Sequence, residues 1–276
     1  MPNRSSRSLW ILSLILLSLF AFPPRLCAHE EIAPLSIQKL GFFKFRRSIF
    51  KQRGFGFNKH APSPPPQLYV PPQVASLQSN DRIAIAGDSV TYLGFQPGGW
   101  VSLWQQYVQT YYPWMNLQFL DYGVPSDHSA DLLARFPAIL QSNPTVVIIY
   151  IGLNDGGYGT SYLPQQSANI QAMIDQCRAT SSVRMVVLVS PFCYGEQYDG
   201  QNPYDSVLNA MLASQASLAA QNNCPFINLR SLWNSAEYVY NHSDASYGIL
   251  CDPPGVHPNA LGAQIISGAM IKSFGE

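Results

Sequence analysis

The sequence predicts an α/β protein, a three-layer α/β/α sandwich built on a five-stranded parallel sheet. Two observations carry this expectation. From residue 81 onward, short apolar runs alternate with longer amphipathic stretches, the pattern of strands joined by crossover helices. One run, Thr145 to Ile151, is apolar almost throughout, as expected of a strand covered on both faces. The chain has 276 residues, 47% of them hydrophobic, enough for one sizeable core plus extensions.

The elements follow in order. Arg82 to Ala86 reads as the first strand. Trp100 to Tyr112 reads as a helix, with Trp100, Leu103, Trp104, Tyr107, Val108 and Tyr111 on one face at helical spacing. Leu117 to Asp121 is the second strand. Ala130 to Leu140 is a helix that Pro137 should break or bend, because proline lacks the N–H of the helical ladder. Thr145 to Ile151 is the third strand and Gln165 to Arg178 a helix. Arg184 to Val189 is the fourth strand, ending before Pro191. Tyr204 to Gln221 is helical, Pro225 to Leu229 is the fifth strand, and Asn259 to Phe274 closes the chain as a helix.

Upstream of this pattern the composition changes. Arg4 and Arg7 precede an apolar stretch from Leu9 to Phe22, and Leu26-Cys27-Ala28 offers a small residue before His29. Residues 1–28 therefore read as a secretory signal, the stretch being short for a membrane span of about 20 residues. A secreted, periplasmic or cell-envelope location follows. Residues 29–60 form a basic-aromatic arm and residues 61–74 a Pro-rich linker of extended spacer character. The folded domain is placed at 75–276. The arm has two readings: a peripheral contact with an anionic envelope surface, or a leader that keeps the chain soluble.

Charge separates the parts further. Residues 29–74 carry seven Lys/Arg against two glutamates, whereas residues 75–276 carry six basic and fourteen acidic residues. Such a domain repels phosphates and is excluded as a nucleic-acid binder. No Cys-x-x-Cys and no histidine cluster suggests a metal, and no cofactor is expected.

Three short motifs sit at or beyond the expected strand ends. Gly87-Asp88-Ser89-Val90 follows the first strand, Gly152-Leu153-Asn154-Asp155 the third, and Gly255-Val256-His257-Pro258 lies near the C-terminus. A parallel sheet collects its reactive groups at that edge. A serine hydroxyl, an amide donor and an imidazole together suit acyl transfer: nucleophile, oxyanion donor and base. Gly123, after the second strand, offers a backbone N–H from the other side. Taken singly, each motif is also an ordinary turn or helix cap.

With Gly-Asp-Ser-Val, Gly123, Gly-Leu-Asn-Asp and Val-His-Pro-Asn in this order, residues 80–276 resemble the SGNH (GDSL-type) hydrolases, esterases and lipases with a flavodoxin-like fold. The resemblance implies Ser89 as nucleophile and His257 as base. It implies an oxyanion hole of the Ser89 and Gly123 N–H groups and the Asn154 side chain, with Asp88 and Asp155 bracing the loops. The family usually places an aspartate three residues before the histidine; here that position is Pro254. Asp252 is the candidate third member, with a Ser89–His257 dyad as the alternative.

The expected activity is hydrolysis of a small-molecule or glycan ester. Tyrosines crowd the strand-end loops, at Tyr92, Tyr158, Tyr162, Tyr194 and Tyr198, and no long aliphatic lid stands out. Short acyl groups, acetyl esters on a carbohydrate, fit best. The alternatives are an O-acyltransferase on the same fold, a catalytically silent envelope-binding domain, and a flavin protein, the last disfavoured because no Ser/Thr-rich phosphate cradle follows the first strand. Cys177, Cys193, Cys224 and Cys251 remain after signal removal. Topology favours two disulfides, Cys177–Cys224 and Cys193–Cys251, whose partners share a sheet edge.

Overall fold

The computed structural model describes residues 68–275. The signal segment, the basic-aromatic arm and the first part of the Pro-rich linker lie outside the described residues. Five strands form one parallel sheet: β1 (Arg82–Gly87), β2 (Gln118–Gly123), β3 (Val146–Tyr150), β4 (Met185–Val189) and β5 (Phe226–Ile227), in the order β2-β1-β3-β4-β5. The chain moves outward from β1 to β2, then crosses back over β1 to β3. The switch point, where a crevice opens at the strand C-termini, lies between β1 and β3.

Seven helices cover the sheet: α1 (Ser89–Phe95), α2 (Trp100–Tyr111), α3 (Ser129–Leu140), α4 (Leu163–Ala179), α5 (Asp205–Gln221), α6 (Leu229–Tyr240) and α7 (Ala260–Ser273). The two-residue side-chain period of a strand sorts the core into two faces. Ile83, Ile85, Val146 and Ile148 pack with Trp104, Leu232, Trp233 and Ile266 from α2, α6 and α7. Ala84, Ala86, Val147 and Ile149 pack with Phe136, Ile170 and Leu218 from α3, α4 and α5. Every residue of β3 is buried.

Three elements depart from the sequence reading. Pro137 does not interrupt α3. It lies on the solvent face of that helix, while Leu132, Phe136, Ile139 and Leu140 bury the other face and offset the lost hydrogen bond. The predicted fifth strand is cut to two residues because α6 begins at Leu229, capped by the Asn228 side chain accepting from Ser231 N–H at 2.8 Å. Residues 68–75 are not a free spacer. Tyr69 N–H donates to Ser235 Oγ at 2.8 Å and Val74 N–H to the Ser273 carbonyl at 2.8 Å, so the folded part begins upstream of residue 75.

All four described cysteines are free thiols, in contrast to the two expected disulfides. The expected neighbours do meet. Cys177 and Cys224 line one cleft at the N-terminal edge of the sheet, and Cys193 lies against Cys251. Burial pushes the Cys177 thiol up to about 12 and raises Cys193 as well, so both stay protonated, and only thiolates exchange readily.

A buried polar cluster ties the loop after β4 to α5 and α6. The Arg230 guanidinium, 1% exposed, donates to Asp199 and Asp205 at 2.7 Å each, to Asn209 Oδ1 at 2.8 Å and to the Phe192 carbonyl at 3.0 Å. Glu237 of α6 is buried near this group, and neither carboxyl oxygen has a hydrogen-bond partner among the described residues. Burial pushes its pKa up to about 9; Arg230 opposes the rise, and Asp205, Asp199 and Glu196 add to it. The fold therefore holds a proton that the unfolded chain releases near pH 4.5. This contribution is complete below that pH and is lost as pH rises through about 9. Glu237→Gln, a permanently neutral replacement, should raise the melting temperature relative to the parent by an amount that grows from pH 6 to pH 9. Melting curves across that range check this, and a pH-independent difference would refute it.

Candidate active site

Ser89 is the first residue of α1, directly beyond β1. Asp88 caps the helix, its Oδ1 accepting from Val90 N–H at 2.9 Å, while the Ser89 N–H has no partner among the described residues. The turn needs glycine before it. A Cβ on Gly87 would lie 2.3 Å from both Thr91 Oγ1 and the Tyr150 carbonyl. Burial, with the negative Asp155 and Asp127 nearby, pushes the Asp88 pKa up to about 7 against the Val90 hydrogen bond.

Asn154 follows β3 across the switch point. Its Nδ2 donates to the Asp127 carbonyl at 2.9 Å, which fixes the amide and leaves one N–H for another acceptor. Asp155 is fully buried and accepts from Ser129 N–H and, at 2.7 Å, from Ser129 Oγ. Asn169 Nδ2 donates to the same hydroxyl at 3.0 Å. These bonds tie the loop after β3 to the start of α3. Arg135 ties β1 to β2 by donating to the Gly87 and Tyr122 carbonyls at 3.1 and 2.9 Å, while pairing with Asp127 at 2.7 Å.

His257 reaches the same edge from a separate hairpin, β6 (Cys251–Asp252) paired antiparallel with β7 (His257–Pro258). The Asp252 carbonyl accepts from Gly255 N–H at 2.6 Å and closes the turn. Glu196, from the loop after β4, is fully buried, and its carboxylate accepts three successive backbone N–H groups, those of Ile249, Leu250 and Cys251. Sequence reasoning missed this clamp, because a lone glutamate in a loop carries no local signal of a partner fifty residues away.

The structure brings Ser89 and His257 together: Nε2 lies 2.9 Å from Oγ. Burial lowers the His257 pKa, and the negative charge of Asp252 partly opposes this. Asp252 is the cross-strand partner of His257 but is exposed, and no hydrogen bond joins the two side chains. Its action on the ring is through space.

Gly123 is the last residue of β2, packed so tightly under α1 that a Cβ would lie 2.2 Å from Tyr92 N. Its N–H is already engaged. The neighbouring Val124 N–H goes to the Gly87 carbonyl, so the Gly123 N–H points away from β1, and Asp121 Oδ1 accepts it at 2.9 Å. In the following turn Ser126 adopts a left-handed conformation (φ 70°), and its N–H has no partner among the described residues. Of the strand-end tyrosines, Tyr92 and Tyr158 are exposed, and Tyr162, Tyr194 and Tyr198 are half-buried. Among the described residues no group of three or more His, Cys, Asp or Glu side chains is arranged to hold a metal ion.

A flavodoxin-like parallel sheet with these groups at its switch point defines a carboxylic ester hydrolase. The GDSL-like lipase/acylhydrolase family matches residues 85–265, and the chain belongs to that family. Its fold is similar to the crystal structure of an acetyl xylan esterase, AlAXEase, at 27% identity and a TM-score of 0.63, covering 68% of this chain and 97% of that one. It is also similar to Axe2, an acetylxylan esterase from Geobacillus stearothermophilus, at 20% identity and a TM-score of 0.60, covering 72% and 96%. No curated protein matches the chain.

The His257 ring should titrate below the usual histidine value of about 6.5. Asp252→Asn should lower its midpoint further by removing the favourable charge. NMR titration of the imidazole reads both, and an unchanged or higher midpoint in the variant would show that Asp252 does not act on the ring.

Proposed function

We propose that this chain is an exported serine esterase that removes short acyl groups, acetyl above all, from saccharides. The observation that carries the reading is the 2.9 Å contact between His257 Nε2 and Ser89 Oγ at the switch point, with the Asn154 amide fixed beyond the neighbouring strand β3. In this mechanism neutral His257 takes the Ser89 proton as Oγ bonds to the ester carbonyl carbon. The carbonyl becomes an oxyanion held by the Ser89 N–H and Asn154 Nδ2. His257 returns the proton to the departing alcohol oxygen, leaving an acyl-serine. Water repeats the sequence and releases the acid.

The third oxyanion donor is better sought in the free N–H of Ser126 than in Gly123, whose N–H serves Asp121. Asp252 supports the imidazolium by charge, so the site works as a Ser89–His257 dyad with a remote carboxylate. The low His257 pKa favours this, since it keeps the base neutral near pH 7. The acetyl preference is supported by the AlAXEase likeness and by the absence of a long aliphatic lid from the sequence.

On p-nitrophenyl esters, the full chain should turn over acetate faster than butyrate, and long-chain esters scarcely at all. Ser89→Ala should lose at least about 10³-fold in rate. Equal rates in parent and variant would remove Ser89 from the chemistry. For the exported form, N-terminal sequencing should give a mature chain starting at His29; an intact Met1 on the exported protein would refute signal removal.

A further inference from the structure

Two aromatic rings stand on the two segments that carry and fix Asn154. His128 follows Asp127, whose carbonyl accepts the Asn154 amide, and Tyr158 ends the 3₁₀ turn Asp155–Tyr158 that starts directly after Asn154. The rings stack with centroids 4.7 Å apart at 28°. Tyr162 leans against Tyr158 at 4.9 Å. Tyr158 nevertheless leaves 54% of its surface open, so the stack does not serve to fill the core.

The His128 ring is oriented and half-buried, with 27% of its side-chain surface open. Its Nδ1 lies 3.3 Å from Asp131 Oδ2, which leaves Nε2 without a partner among the described residues. In either tautomer, Nε2 offers one hydrogen-bonding site to a hydroxyl. A half-open aromatic surface next to a hydrogen-bonding edge is the chemistry that recognises a sugar ring: C–H groups pack on the aromatic face and a hydroxyl meets the polar edge. A fatty chain would leave the imidazole edge unpaired. An anionic sugar would meet a domain with fourteen acidic and six basic residues over positions 75–276.

We infer that the stacked His128–Tyr158 pair is a ledge for a neutral saccharide, holding the sugar unit that bears the ester beside Asn154 and Ser89. The inference rests on the esterase reading of this site and adds where its substrate lies. On this arrangement the ledge contributes to binding of the sugar and nothing to attack on the carbonyl, so small aryl esters bypass it.

Kinetics of the full chain on acetylated xylo-oligosaccharides and on p-nitrophenyl acetate test it. Tyr158→Ala should lower kcat/KM on the oligosaccharides about tenfold, mainly through KM, and change p-nitrophenyl acetate less than about twofold, the scale of one lost aromatic contact. Tyr158→Phe, which keeps the ring, should behave as the parent, and His128→Gln should follow Tyr158→Ala. In the Ser89→Ala background, calorimetric titration with unacetylated xylohexaose should show binding that Tyr158→Ala weakens about tenfold. Equal losses on both esters, or no loss on either, would overturn the ledge and leave the esterase reading standing. If the parent hydrolyses neither ester, the esterase reading fails and the ledge falls with it.

Discussion

Ser89 and His257 stand 168 residues apart in sequence and meet at 2.9 Å, and that approach depends on a buried carboxylate. The hairpin carrying His257 makes no ladder with the main sheet. It is held by Glu196, which accepts the N–H groups of Ile249, Leu250 and Cys251, and by Gly195 N–H donating to the Gly255 carbonyl at 2.7 Å. Three charge-assisted bonds to one side chain are among the stronger hydrogen bonds a fold can make. Removing the carboxylate would leave three backbone donors unpaired in the interior. Arg230 in turn anchors the loop from which Glu196 projects, through the Phe192 carbonyl and Asp199.

The opposite wall of the site is built on the same logic with other partners. Asp155 holds Ser129, Asn169 holds Ser129 in turn, and the Asp127 carbonyl fixes Asn154. Burial raises the proton affinity of Asp88, and the negative Asp155 and Asp127 nearby add to the rise. His257 is displaced the other way, because burial disfavours its cation. The two walls thus hold His257 Nε2 against the Ser89 hydroxyl and fix the Asn154 amide at the end of the neighbouring strand β3.

Much of this was legible in the chain because it is local. The apolar runs gave the strands, and the residues just past two of those runs, Ser89 and Asn154, are where a parallel sheet must present them. His257 was legible only through its company. Other features depend on long-range registry. The direction of the Gly123 N–H follows from which neighbour pairs with β1, and a motif cannot report that. The distance between Asp252 and His257 depends on the path of a proline-containing turn. The left-handed backbone of Ser126 has no signature in a residue that is not glycine. In α6 the helical spacing of Leu229, Leu232, Trp233 and Ala236 was present in the sequence, but a strand drawn as far as Leu229 absorbed its start.

A parallel sheet has two free edges, and each is a template for another chain's strand. At one edge β5 is only two residues long, too short to template a partner. At the other, β2 ends with Asp121 folding its carboxylate onto the outward N–H of Gly123, so an incoming strand would meet a negative charge where it needs a donor. The same side chain that occupies a backbone group near the site therefore also disfavours strand pairing at the β2 edge.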